Sequence, residues 1–493
     1  MELRFEQETK EIWRECFRRE DSILVELEGV VPDVNEDVGR VASVQCSVML
    51  KSKELKGQTL VVGGEAEAVV LYITENADGV ASVRLNREFE QEIALGDGVS
   101  AEEAQAVLRV ARSEGRILNP RKLAVSVQLV CTSRGYRKES MTLSLMPDGD
   151  AAPLLLGRAE TARAQVVTAV TEKSFATTES FLFPEGRATP EQILCRDVRF
   201  RLGEQNRIGT RLIVKGTMEL ELCYMAEGLD YPLHQSFSAP LSQILELGTE
   251  GAACCTLNCV PTAVYLDLID SISGDKALET EVHALLQAAC RSEVELRYLS
   301  DAYSNAMPLS CRYRELAAET AGQMESSAWS ASELIAVGDD CADVLAVLSA
   351  LGGDRETPRA DLDILYRSKN GDIAAARRQL ALKGERPPAD AQLLSAAITR
   401  SNLIPEGEGL QCEIQADYIW QRSGSRVLRI LESAELDEEH PFDLSSLPAV
   451  TLVRVEGESL WELARSYHSS TDAVTALNDA EEREGKMLLI PRA

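Results

Sequence analysis

One pattern occurs three times in this chain and constrains its fold more than any other feature. LVVGGEAEAVVLY ends at Tyr72, LIVKGTMELELCY ends at Tyr224, and the weaker PRADLDILY ends at Tyr366. Each is followed by a polar turn: ITENADG, MAEGLDY and RSKNGDI. The tyrosines are 152 and 142 residues apart, so each copy is a domain-sized unit and not a short solenoid repeat. A second landmark follows each tyrosine after 59, 66 and 54 residues: LAVSVQLVC to Cys131, EVHALLQAAC to Cys290, and CEIQADYIW to Trp420.

These runs alternate apolar and polar residues. Ala66, Ala68 and Val70 fall on one face, with Glu65, Glu67 and Val69 on the other. Met218, Leu220 and Leu222 oppose Glu219 and Glu221 in the same way. A period of two predicts strands half-exposed to water, and the Asn, Asp and Gly between runs supply hairpin turns. VASVQCSVML, DVRFRLGE, SEVELRYL and TAVYLDLID alternate as well. SAEEAQAVLRVAR opens with the capping-box pair Ser100 and Glu103, yet by analogy with TAVYLDLID it is read as a strand from about Ala106. Residues Phe5 to Phe17 are read as an amphipathic helix with Phe5, Ile12, Trp13 and Cys16 on its apolar side. The expected fold is mainly β: three antiparallel β-sandwich-like repeats, then a small βααβ unit. The expected boundaries are 1–157, 158–308, 309–436 (the most diverged copy), an acidic, proline-containing linker over 437–449, and 450–493.

Composition narrows the function. A net charge of -29 opposes nucleic-acid phosphates and anionic membranes, so no nucleic-acid partner is expected. No run approaches the roughly 18 apolar residues of a membrane span, and MELRFEQETKEIWRECFRRE is no secretory signal, so no direct membrane insertion is expected. Twelve scattered cysteines without C-x-x-C then read as reduced thiols of a cytosolic protein. Cys254, Cys255 and Cys259 are read as buried or half-buried thiols, not as a zinc site. His234, His283, His440 and His468 lie at no ligand spacing, and nucleotide loops and the hydrolase elbow are missing. No enzyme, cofactor or metal is therefore expected. Glu102-Glu103 and Asp339-Asp340 read as solvated faces. Arg116, Arg121 and Lys122 read as salt-bridging.

The last 44 residues carry the sharpest signal. TLVRV is a strand leading to the turn Glu456-Gly457-Glu458. Ser459 and Glu462 form a capping box for a helix bearing Leu460, Leu463, Ala464 and Tyr467 on one face. Thr471 or Asp472 caps a second helix with Val474 and Leu477, ending near Asn478, and KMLLIP closes as a strand at Pro491. Trp461 reads equally well as a core or a surface residue, and Tyr467 as a core residue.

This stretch resembles the LysM family. Gly457-Glu458-Ser459-Leu460-Trp461-Glu462-Leu463-Ala464 stands where that family has Gly-Asp-Thr-Leu-Trp-x-Ile-Ala. Leu477-Asn478 and Leu488-Leu489-Ile490-Pro491 match its later landmarks. The resemblance implies a shallow groove built from Gly457, Glu458, Ser459, Leu460, Trp461, Asn478, Gly485 and Lys486. The glutamates at 481, 482 and 484 depart from the family's usual loop. RILNPRKLAVSV (116–127) and ELRYLSDAYSN (295–305) resemble the SPOCS domain. Repeated SPOCS domains before a LysM module resemble the SipL-type spore-coat morphogenesis proteins. That resemblance implies a scaffold in the mother-cell cytosol, at the forespore surface. It would bind the coat's basement-layer morphogenetic ATPase, largely through the LysM unit. The alternative it implies is a protein binding peptidoglycan glycan, a polymer containing N-acetylglucosamine, at the spore or cell wall.

Overall fold

A computed structural model describes residues 3–76, 79–148, 154–184, 188–248, 254–270, 276–319, 323–337, 341–353, 357–386, 391–406, 409–422, 424–478 and 487–492. The fold is mainly β, with antiparallel sheets and, among the described residues, two short helices near the C-terminus.

The same strand plan recurs three times. The first copy holds β1 (Arg4–Val30), β2 (Val38–Lys56), β3 (Thr59–Thr74), β4 (Val80–Ala94), β5 (Glu103–Asn119) and β6 (Lys122–Asp148). The second holds β7 (Leu156–Leu182), β8 (Pro190–Ile208), β9 (Arg211–Ala226), β10 (Leu233–Glu246), β11 (Cys254–Asp270) and β12 (Lys276–Tyr303). In each, the first strand pairs with the sixth, the fifth also pairs with the sixth, and strands two to four form a separate sheet.

The third copy keeps this plan with its long strands in two pieces. β13 (Leu309–Glu319) and β14 (Gln323–Ala336) stand for the first strand. β15 (Cys341–Gly353), β16 (Pro358–Ser368) and β17 (Ile373–Ala381) form the separate sheet. The two-residue β18 (Lys383–Gly384) and β19 (Gln392–Glu406) follow, and β20 (Gly409–Arg422) and β21 (Ser425–Leu436) stand for the sixth strand. Copy three has diverged in sequence while its pairing scheme has not.

Tyr72, Tyr224 and Tyr366 occupy equivalent places. Each is buried near the end of the central strand of its three-stranded sheet, facing the core of its own copy. The alternation holds in β9, where Lys215, Glu219 and Glu221 keep contact with water between buried Met218, Leu220 and Leu222, but the opposite face of β3 does not meet water as predicted. In β3 nearly every residue is buried, Glu67 included at 5% exposure. Leu71, Cys223 and Leu365, each one residue before its tyrosine, meet in one cluster drawn from all three copies. Around it runs a polar lacing. Arg196 of copy two reaches Glu67 of copy one at 3.4 Å. The Ser43 hydroxyl donates to Asp363 of copy three at 2.7 Å, and Arg40 donates to the Ala375 carbonyl at 2.6 Å. Arg367 of copy three pairs with Asp230 of copy two at 2.9 Å. A second cluster, formed by the long outer strands, again draws on all three copies: Met141 and Leu143, Ala162, Ala164, Leu296 and Tyr298, Ala318, Leu428 and Ile430.

The helix expected over Phe5 to Phe17 is a strand. β1 pairs with β6 along its length, with an irregularity between Glu15 and Phe17. That bulge shifts the alternation by one residue. Ile12 and Phe17 thereby share a face of β1 while Trp13 falls on the other, so the apolar residues lose the plain period of two that marks a strand. Phe17 lies over Gly135, its register partner, where any side chain would collide with the ring. SAEEAQAVLRVAR is a strand, as favoured, although β5 begins three residues earlier at Glu103.

The thiols are also not all reduced. Cys255 and Cys290 face each other across β11 and β12 and form a disulfide, with Cα atoms 3.9 Å apart. They lie 35 residues apart in sequence, and only the strand register reveals them as neighbours. Cys254 is an exposed free thiol. Cys259 is partly buried, and desolvation pushes its pKa to about 12. Burial raises Cys46 and Cys412 to about 11 and Cys131 to about 12, so these thiols carry little thiolate at neutral pH. Asp339 and Asp340 lie outside the described residues. Arg121 and Lys122 do form salt bridges, to Asp37 at 2.9 Å and Glu28 at 2.6 Å.

Copies one and two are joined by one fully buried amide. Gln287 on β12 donates to the Ala106 carbonyl at 2.9 Å and accepts from the Ala106 N–H at 3.0 Å. The side chain acts as a one-residue strand partner for β5. Gln287→Leu keeps the volume but orphans both backbone groups. It should lower unfolding free energy by about 2–4 kcal/mol in chemical denaturation. The exposed Glu281→Gln should change it by less than about 0.5 kcal/mol.

Candidate functional site

The C-terminal unit folds as its sequence reads. β22 (Val450–Arg454) pairs with β23 (Met487–Pro491), and α1 (Leu460–Ser466) and α2 (Thr471–Leu477) lie between them in sequence. Ser459 accepts from the Glu462 N–H at 3.3 Å, and Glu462 accepts from the Ser459 N–H at 2.9 Å, completing the capping box. The Ser459 N–H and hydroxyl, both donating to the Glu462 carboxylate, hold its pKa below the ordinary value. Gly457 sits at φ +105°, a conformation that a side chain would strain. Ser470, and not Thr471 or Asp472, caps α2, accepting from the Ala473 N–H. The core is Val455, Leu463, Ala464, Val474, Leu488 and Ile490.

This core is completed from outside the unit. Tyr303, at the end of β12, and Leu156, at the start of β7, belong to the same cluster. Tyr303 packs edge-on against Trp461, ring centroids 4.8 Å apart, and its hydroxyl donates to the Ser469 carbonyl at 2.8 Å. Beside it, Asp301 accepts from the Trp461 indole N–H at 2.9 Å, from Arg465 at 3.2 Å and from the Tyr313 hydroxyl at 2.5 Å. Burial would raise the Asp301 pKa, but these donors outweigh it and the carboxyl lies below its ordinary value. One carboxylate thus ties the second copy, the third copy and the C-terminal unit together. Phe442 in the connecting segment packs at a tilt against His468, ring centroids 4.6 Å apart, and Arg492 donates to the Leu447 carbonyl at 3.0 Å.

The expected groove residues divide. Gly457, Glu458, Ser459 and Leu460 surround the first turn. Glu458 is exposed, while its carboxylate accepts from the Glu456 N–H at 2.8 Å. Trp461 is turned toward the body instead of toward an external ligand. Asn478 is a structural lock: its amide donates to the Val474 and Leu489 carbonyls at 2.8 and 2.6 Å, and its oxygen accepts from the Leu489 N–H. Gly485 and Lys486 lie outside the described residues. Tyr467, expected in the core, is 37% exposed.

Sequence reading missed the docking pair Asp301 and Tyr303, although both lie in ELRYLSDAYSN, a stretch singled out on other grounds. It also missed an apolar outer face. Leu452 and Leu489 are register partners, 56% and 41% exposed, flanked by exposed Val450 and Met487. Alternation puts these four residues opposite the face that packs on the helices. Among the described residues, no group of three or more His, Cys, Asp or Glu side chains is placed to hold a metal ion. No described helix is long and apolar enough to cross a membrane. Comparison with known protein families, curated proteins and solved structures finds no match to this chain.

Asp301→Ala should release the C-terminal unit without unfolding the three copies. Proteolysis within 437–449 should accelerate several-fold, measured as cleavage rate against the unaltered chain. The pH dependence has the sign of a depressed carboxyl. The Asp301 contribution is complete above the ordinary aspartate pKa of 3.8 and is lost as pH falls through the lower folded value.

Proposed function

We propose that this chain is a non-enzymatic scaffold of the SipL type, with three SPOCS repeats and a LysM module, acting in endospore coat assembly. In this reading it works in the mother-cell cytosol at the forespore surface and holds the coat's basement-layer ATPase through the LysM unit. The observation that carries the reading is the C-terminal βααβ unit with its Gly457 turn and reciprocal Ser459–Glu462 capping box. Its apolar outer face supports a protein partner. Leu452, Leu489, Val450 and Met487 form an exposed patch on a small unit, the kind of surface that marks interaction sites.

Binding to peptidoglycan is supported less well. Trp461 and Asn478, two of its expected contacts, are engaged within the chain. Acid–base or nucleophilic chemistry likewise gains little support from thiols whose pKa values are raised by burial.

Affinity capture from sporulating cells tests the proposal. The full chain should retain a cytosolic ATPase, and Leu452→Glu with Leu489→Glu should reduce its recovery at least tenfold while the far-ultraviolet spectrum stays unchanged. Undiminished recovery with the double variant, or sedimentation of the chain with purified peptidoglycan in place of ATPase capture, would overturn it.

A further inference from the structure

A cavity of about 1040 Å³, partly open to solvent, lies where the three copies converge, and residues of all three line it. Its volume is at the upper end of ligand pockets. The way it is lined shows what it can take.

Some strands contribute alternate residues: Arg359, Asp361 and Asp363 from β16, Arg377 and Gln379 from β17, and His234 and Ser236 from β10. Alternate residues share one face of a sheet, so these strands present faces to the cavity. Other strands contribute consecutive residues: 44–49 of β2, 108–114 of β5 and 195–199 of β8. A consecutive run includes both faces, so these strands present their edges. Those three strands, together with β11, β15 and β19, are each the last strand of their sheet among the described residues. All six contribute to the lining. The cavity is therefore bordered by two edge strands from every copy, none of which has a strand partner on its outer side among the described residues, and such an edge can accept an added strand.

Charge narrows the occupant further. The chain as a whole carries -29, yet the described residues of the lining include seven arginines, no lysine and six carboxylates. Five of the carboxylates pair with arginines, Glu67 with Arg196, Asp197 with Arg199, Asp361 with Arg359, Asp363 with Arg377 and Glu114 with Arg112, while Glu221 meets His234 and Arg109 pairs with Glu20 outside the lining at 3.1 Å. Arg400, exposed on β19, has no carboxylate partner among the described residues. Arg400 is thus the arginine of the described lining left to meet an added carboxylate, in a chain that is otherwise strongly acidic.

We propose that this cavity binds an extended polypeptide segment bearing a carboxylate side chain. The segment adds as a strand to a free edge and places a carboxylate on Arg400. The site belongs to the three repeats and does not involve the C-terminal unit, so it stands independently of the adaptor reading.

Fluorescence anisotropy with the full chain and fluorescein-labelled octapeptides tests this. The peptides alternate valine with aspartate or with lysine, and a third replaces two valines of the aspartate peptide by proline. The aspartate peptide should bind saturably, and the lysine peptide at least tenfold more weakly. The proline peptide, lacking two backbone donors, should also lose at least tenfold. Arg400→Glu should weaken the aspartate peptide and strengthen the lysine peptide. Ser349→Trp, which fills the cavity from β15, should abolish both. Absence of saturable binding by the aspartate peptide, equal affinity for the proline peptide, or indifference to both variants would overturn the proposal. Leu452→Glu in the C-terminal unit should leave peptide affinity unchanged, so that failure here and failure of ATPase capture remain separate results.

Discussion

The fold depends on the second face of three strands. β3, β9 and β16 each bury one face in their own copy, as any sandwich strand does. Their other faces carry Leu71, Cys223 and Leu365, which have no cover within a single copy. Burial of a large aliphatic side chain stabilises a fold by about 1.5–3 kcal/mol relative to exposure. A copy standing alone would lose that contribution at several positions and would leave Glu67 and Asp363 without Arg196 and Ser43. The three copies are thus mutually required, and the repeat is a packing device more than a series of beads. The long outer strands make the same demand through the cluster containing Met141, Ala164, Leu296 and Ile430.

That dependence explains what the sequence could and could not reveal. The tyrosine-ended runs, their order and their strand character were legible because period-two alternation is local. So were the capping box and the βααβ order of the last residues, where each signal lies within four positions of its partner. The destination of the polar face was not legible. Glu67 in GEAEAVV looks like a water-facing residue until the arginine that neutralises it arrives from position 196. β1 misled for a different reason: irregularities at Glu6 and Cys16 interrupt the period of two among its apolar residues. The Cys255–Cys290 disulfide and the Gln287–Ala106 hydrogen bonds depend on registers set 35 and 181 residues apart. Composition and periodicity contain no such information.

The candidate site shows the same division. The turn, caps and closing strand of the C-terminal unit follow from its own residues, but its orientation does not. Asp301 sits next to an irregularity in β12, between Leu299 and Asp301, where an extra residue re-aims the strand's side chains. It accepts from Tyr313, Trp461 and Arg465, and because the Coulomb and hydrogen-bond contributions converge on one carboxylate, none of the three elements can be repositioned without disturbing the others. With Trp461 held inward, the two-stranded sheet turns Leu452 and Leu489 outward. The body therefore selects which face of the small unit is offered to a partner. An ion pair at the surface would be too weak to impose that choice. A half-buried carboxylate, an edge-on Tyr303–Trp461 pair and a hydroxyl bound to the Ser469 carbonyl together are strong enough to impose it.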